Sequence, residues 1–214
     1  RQFLQNLPAN NVLLWGPRGT GKSSLIKAIL NHFSADGLKM IEVDKHDLID
    51  LPEIVEAISN HENHYIIFCD DLSFEAEDSS YKSLKVVMDG SISKTPDNFL
   101  IYATSNRRHI LPEYMHENTQ GGFKGDELHM SEAVEEKISL SERFGLWLSF
   151  HPFNQEQYLQ LVDASLEKLE MDNTSDDQTR AEALRWALER GSRSGRSAWQ
   201  FAKYWAGKRK LETS

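Results

Sequence analysis

Eight consecutive residues, Gly16-Pro17-Arg18-Gly19-Thr20-Gly21-Lys22-Ser23, match G-x-x-x-x-G-K-[ST], a pattern that gathers main-chain amides around a polyphosphate. Each residue type has a physical reason. Glycines at 16, 19 and 21 allow backbone conformations that a β-carbon forbids, so successive N–H groups converge on phosphate oxygens at a helix N-terminus. Lys22 brings a cation to the β- and γ-phosphates. Ser23 offers a hydroxyl to Mg2+, a hard ion that takes oxygen ligands and keeps several waters. Pro17, Arg18 and Thr20 complete the loop and Ser24 follows it, so residues 16–24 form the expected nucleotide-binding segment. A plain glycine-rich turn before a helix is the bland alternative, and it leaves the joint match of motif and context unexplained.

A cation held through Ser23 needs an acidic partner. The apolar run 65–69 delivers Asp70 to its C-terminal end, where ligands collect in open parallel sheets, so Asp70 is the expected metal-side carboxylate. Asp71 is placed to orient or deprotonate an attacking water. Two adjacent aspartates can instead cap the turn into Leu72-Ser73, and for Asp71 both readings stand.

The elements that must position these groups follow from periodicity. Val12 to Trp15 is apolar with a β-branched first residue, brief and ends at glycine, which predicts a strand. Leu25, Ile29 and Phe33 recur beside Ile26 and Leu30, predicting one apolar stripe on a helix that ends near Asp36 and Gly37. A second strand is expected at 38–43. Asp50-Leu51-Pro52-Glu53 reads as a helix start with a capping residue, an early proline and a back-reaching glutamate, the helix running to about Asn60. Further strands are expected at 65–69, 99–103 and 146–150, with a helix at 80–89 and an exposed loop at 116–126. Beyond 150 the pattern is helical only. Leu159, Val162, Leu166 and Leu169 share a face, another helix spans 178–190, and Ala198, Phe201, Ala202 and Trp205 mark a last amphipathic helix. Strands alternating with helices, then helices alone, predict an α/β fold with a parallel five-stranded sheet flanked by helices, followed by a small helical lid. The expected division is a nucleotide-binding core at 1–151 and a lid at 152–214.

With 39% apolar and 27% charged residues, the chain of 214 residues is neither disordered nor fibrous. No apolar run reaches the length of about 20 residues that a spanning helix needs, and no secretory pattern opens the chain. The lone cysteine, Cys69, closes no intrachain disulfide, which suits a reducing, cytoplasmic compartment. The sequence begins at Arg1 instead of methionine, so an upstream part is expected. The net charge of −9 is uneven: residues 185–210 carry eight basic residues against Glu189, a local +7 that leaves −16 elsewhere. Trp199, Phe201, Tyr204 and Trp205 interleave with Lys203, Lys208, Arg209 and Lys210, a mixture able to stack bases and grip phosphates, yet the helical spacing favours packing with solvated lysines opposite. His61 and His64 have a metal-like spacing without a third ligand, and no G-x-S-x-G turn supports a serine hydrolase.

Residues 11–201 resemble AAA+ ATPases, and most closely the bacterial ATP-binding family called domain of unknown function 815. The likeness rests on NNVLLWGPRGTGKSS, FCDDLSF, IYATSNRRH, EEKISLSERFGLWLSFHPF and ALRWALERGSRSGR. The resemblance implies that Asn106 occupies the first sensor position, holding the lytic water against the γ-phosphate. Its local alternative is a turn asparagine before Arg107 and Arg108. The resemblance also implies that Arg143, in Arg143-Phe144-Gly145, is an arginine finger reaching nucleotide on a neighbouring subunit, and hence a homo-oligomer. Arg196 matches the second sensor on the lid, with Arg193 competing for that role. The family commonly follows its metal-side aspartate with glutamate. Asp71 is shorter by one methylene, which implies slow hydrolysis unless Glu75 or Glu77 substitutes.

The leading expectation is therefore an AAA+-type ATPase that binds ATP or ADP with Mg2+, using Lys22, Asp71, Asn106 and Arg143 in hydrolysis and acting on an unknown client. A P-loop phosphotransferase of a small acceptor is the second expectation. The third is a non-hydrolysing, ATP-gated module that contacts nucleic acid or protein, nucleic acid being possible but not favoured.

Overall fold

The computed structural model describes residues 1–74, 80–90, 97–106, 139–171 and 176–212. The strands are β1 (Val12–Trp15), β2 (Leu38–Glu42), β3 (His64–Cys69), β4 (Phe99–Ser105) and β5 (Leu146–Ser149). The helices are α1 (Lys22–Phe33), α2 (Leu51–Ile58), α3 (Tyr81–Met88), α4 (Gln155–Glu167), α5 (Asp177–Glu189) and α6 (Gly195–Glu212). The chain divides into two compact units, one of Arg1–Gly16 with Lys22–Ser149, the other of Pro17–Gly21 with Phe150–Ser214. The expected loop at 116–126 lies outside the described residues, as do Glu75, Glu77, Arg107 and Arg108.

In the first unit all five strands run parallel in the order β2-β3-β4-β1-β5. The chain leaves β1 for the far edge, returns strand by strand to β4, then passes beyond β1 to β5. This reversal beside β1 is where open parallel sheets form a crevice at their C-terminal ends. Register brings those ends together: Trp15 pairs with Ser105, and Cys69 with Ala103. One sheet face carries Leu13, Ile67, Ile101 and Ala103, packed with Leu51, Ile58, Leu84 and Val87 from α2 and α3. The N-terminal segment adds Phe3, whose ring meets His64 edge-on at 4.8 Å.

Two local expectations need correction. The stripe on α1 is centred on Ile26, which is fully buried, while Leu25 lies on its exposed side. Asp50 does not cap α2 with its side chain. A 3-10 helix over Lys45–Asp50 runs straight into α2, leaving Asp50 at φ −89° and ψ 2° instead of the extended conformation a capping side chain needs. Pro52 does sit in the first turn. β5 is an edge strand with Leu146 and Leu148 exposed. Trp147 turns inward and donates its Nε1–H to Phe144 O at 2.7 Å.

In the second unit, α4 opens with a reciprocal capping box. Asn154 accepts from the Gln157 N–H at 2.8 Å, and Gln157 Oε1 accepts from the Asn154 N–H at 3.0 Å. Asp176 caps α5 by accepting from the Thr179 N–H, which holds its carboxyl below the usual carboxylate range. Leu159, Val162 and Leu166 are buried with Phe201, Ala202 and Trp205, as the helical spacing requires. Two polar tips inside this core are partnered: Trp205 Nε1 donates to Thr179 Oγ1 at 3.0 Å and Tyr158 Oη to Ala183 O at 3.3 Å. None of the described helices is long and apolar enough to cross a membrane.

Candidate functional site

The segment between β1 and α1 has the backbone its glycines predict. Gly16, Gly19 and Gly21 have φ of 140°, 76° and 99°. Gly19 is doubly constrained, because a β-carbon there would lie 2.6 Å from the Ser194 Cβ. Within the second unit, Gly19 O accepts from the Gly195 N–H at 2.8 Å. Ser194 also caps α6, accepting from the Ser197 N–H at 3.1 Å. Thr20 fixes the loop by donating to Pro17 O at 2.8 Å. Arg196 lies on the first turn of α6, its Cβ 3.9 Å from where a Gly19 β-carbon would sit. Arg193 precedes that helix, and both arginines are exposed.

In the first unit, the residues singled out for their chemistry form one hydrogen-bonded cluster. Lys22 is buried and donates from Nζ to Gly16 O at 2.6 Å and to Asn106 Oδ1 at 3.3 Å. Ser23 Oγ donates to Asp70 Oδ1 at 2.7 Å across 47 residues of sequence. Asn106 Nδ2 donates to Asp71 Oδ1, so a single amide bridges the lysine and a carboxylate. Asp71 has φ 52°, a left-handed conformation uncommon outside glycine that costs about 1–2 kcal/mol.

Thr104 explains how that conformation is held, and sequence reasoning missed it. Its hydroxyl donates to Asp70 Oδ1 at 2.5 Å and accepts from the Asp71 N–H at 2.9 Å. The side chain is buried, and one oxygen therefore fixes both aspartates. The only available signal was a polar residue closing an apolar strand next to β3 in the sheet order. Leu72 N–H donates to Thr104 O at 2.7 Å, completing the tie between the two strand ends.

Arg143 belongs to a separate cluster. Its Nε and Nη2 grip Asp89 Oδ1 and Oδ2, the latter at 2.9 Å, while Nη1 donates to Ser139 O and to Ser139 Oγ at 2.8 Å. The guanidinium holds the Asp89 carboxyl below the usual carboxylate range. Among the described residues its hydrogen bonds go to Asp89 and Ser139, not to Asp70, Asp71 or Asn106. Gly145, two residues on, sits where a β-carbon would come within 2.6 Å of Asn10 Oδ1, which accounts for glycine in that step.

The donor set fits one cation type. Ser23 and Asp70 present two oxygens, and no group of three or more His, Cys, Asp or Glu side chains among the described residues forms a cage. Mg2+ suits such a site, taking one or two protein oxygens with phosphates and waters, whereas structural zinc needs four ligands. His64 instead pairs with Asn6 Oδ1 at 3.0 Å, and His61 meets Tyr65 edge-on. Cys69, beside Asp70, is buried, and burial pushes its thiol up to about 12.

A parallel sheet in this strand order, with a glycine loop leading into a helix from β1 and an acidic pair ending β3, defines an AAA+ P-loop NTPase fold. The chain belongs to the family described as protein of unknown function (DUF815), whose model matches residues 1–209. Among solved structures it is similar to a RuvB variant from Thermotoga maritima, with a TM-score of 0.63 and 15% identity over 94% of this chain and 56% of that one. The Thermotoga maritima RuvB Holliday junction branch migration motor gives 0.57 and 16% over 94% and 56%. The replication initiator DnaA bound to AMPPCP and single-stranded DNA gives 0.59 and 15% over 95% and 57%. This chain thus spans little more than half the length of those structures, and the likeness is one of fold. No curated protein matches the sequence.

Proposed function

We propose that the chain is a Mg2+-dependent ATPase that works in an oligomer and turns nucleotide state into movement on a client. One observation carries this reading: Ser23 from the phosphate loop and Asp70 from β3 meet at 2.7 Å, the pairing that a Mg2+-triphosphate site requires. The DnaA structure of the same fold is bound to AMPPCP, which supports a nucleotide as the ligand.

The charges favour the metal complex over the bare nucleotide. Lys22 with Asp70 and Asp71 leaves the cluster one negative charge, which repels a polyanion until a divalent cation accompanies it. Ser23 and Asp70 would hold Mg2+, which when bound would supply charge neutralisation to the phosphates. Amides of residues 16–24 hold the phosphate oxygens, and Lys22 turns from Gly16 O toward the γ-phosphate. Ser23 and Asp70 orient the metal side, with Thr104 keeping Asp70 from rotating. Asn106 positions the attacking water, and its proton passes to the Asp71 carboxylate. Asp71 is shorter than glutamate, so hydrolysis is slow. Arg143 exchanges Asp89 for the transition-state phosphoryl oxygens of a neighbouring subunit, a contribution worth ~10³ to 10⁵ in rate. Arg196, next to the loop in the helical unit, reads whether the γ-phosphate is present.

The test is ATP turnover against protein concentration, with mass measured with and without nucleotide. Turnover per subunit is expected to rise with concentration as oligomers form. Lys22→Ala and Arg143→Ala subunits, each inactive alone, should regain activity when mixed. A flat response at every mixing ratio would remove the finger in trans, and absent turnover with intact Mg-ATP binding would reduce the protein to a nucleotide-gated switch.

A further inference from the structure

α6 presents two chemically distinct faces. Ala198, Phe201, Ala202 and Trp205 are buried in the helical unit, whereas Trp199, Lys203, Tyr204 and Lys208 are exposed. Between residues 191 and 211 the sequence contains no aspartate or glutamate. The exposed residues fall into two rows of i, i+4 spacing, Trp199 to Lys203 and Tyr204 to Lys208, so an aromatic ring precedes a lysine by one helical turn in both. Lys203 Nζ lies 5.3 Å from the Trp199 ring centroid.

The rings are held as well as exposed. Tyr204 stacks on Trp186 of α5, with centroids 5.1 Å apart and planes 24° from parallel. The Arg190 guanidinium lies 3.3 Å from the Trp186 centroid and completes the pile. Tyr204 nevertheless remains 52% exposed and Trp199 36%. A face serving solubility alone mixes both charge signs and avoids ordered aromatic surface. This one exposes two aromatic rings, and its acids stand only at its ends, at Glu189 and Glu212.

We propose that the outer face of α6, with Arg190 from α5, binds single-stranded nucleic acid by stacking bases on Tyr204 and Trp199 while Arg190, Lys203 and Lys208 contact phosphates. Stacking and phosphate contact use parts common to DNA and RNA, so both sugars are accepted. Two nearby acids are paired, Asp176 with Arg209 at 3.2 Å and Glu182 with Arg185 at 3.4 Å, while Glu189 beside Arg190 and Glu212 one turn beyond Lys208 are exposed at the two ends of the surface. The rest of the chain sums to −16, so the excess of cations is concentrated in this stretch. The surface uses neither Ser23, Asp70 nor Arg143, so it stands whether or not ATP is hydrolysed.

Fluorescence anisotropy of labelled oligothymidylate and oligouridylate with the full chain tests this. Both are expected to bind alike, and three phosphate contacts imply a salt slope near −2, or about a twentyfold loss of affinity from about 50 to about 200 mM salt. Lys203→Glu with Lys208→Glu, both exposed, should flatten that slope without changing the melting curve. Tyr204→Ala should weaken binding about tenfold and Tyr204→Phe should restore it, which a purely electrostatic surface would not show. No binding at low salt would overturn the proposal. So would equal affinity for duplex DNA or equal competition by polyglutamate, since either removes base stacking from the interaction.

Discussion

Ser23, Asp70, Thr104 and Asn106 hold the C-terminal edge of the sheet through hydrogen bonds, whereas α4, α5 and α6 are held by Tyr158, Val162, Leu166, Phe201 and Trp205 packing against one another. The two regions divide stability and chemistry unequally. In the helical unit each apolar side chain removed leaves a cavity, so damage appears as unfolding. At the sheet edge a lost oxygen displaces a carboxylate by a fraction of an ångström, so on the proposed function damage appears in rate before it appears in stability.

The largest effect belongs to the packed region. Phe201 is 1% exposed and stacks on Trp205 at 5.7 Å. Phe201→Ala should cost about 3–5 kcal/mol and lower the calorimetric melting transition of the helical unit. Thr104→Val should do the reverse. It keeps the volume but deprives Asp70 and the Asp71 N–H of their shared oxygen, so ATP turnover should fall by about tenfold or more while the melting midpoint moves only a few degrees. Equal losses of rate and stability in both variants would erase the distinction between the regions.

The smallest effect lies at Arg143. Arg143 holds the Asp89 carboxyl low, so the pair stabilises the folded chain above the ordinary carboxylate value near 4 and stops doing so as pH falls through the lower folded value. Both side chains are partly exposed, and the contribution stays below about 1 kcal/mol. Asp89→Ala should therefore lower the melting temperature slightly at neutral pH, with the difference vanishing in acid.

The order of elements and the parallel sheet were legible because each strand here is a short β-branched or apolar run punctuated by glycine, aspartate or asparagine, and each helix carries a 3.6-residue stripe. The phosphate loop was legible because its chemistry is written in consecutive residues. Thr104 was not, since its importance comes from β4 lying between β1 and β3, a fact of strand order that no local pattern carries. Asp89 was hidden for a related reason: 54 residues separate it from Arg143. Asp50 shows the opposite error, a correct local motif overridden because a 3-10 turn already occupied the approach to α2.

The sulfur of Cys69 sits one residue from Asp70, at the end of β3 where the acidic pair begins. Burial pushes the thiol up to about 12, so it keeps its proton at neutral pH. Oxidants and alkylating agents attack thiolates, so this residue stays chemically silent for as long as β3 keeps its neighbours. Modification by such reagents would accordingly report opening of the sheet at the end of β3.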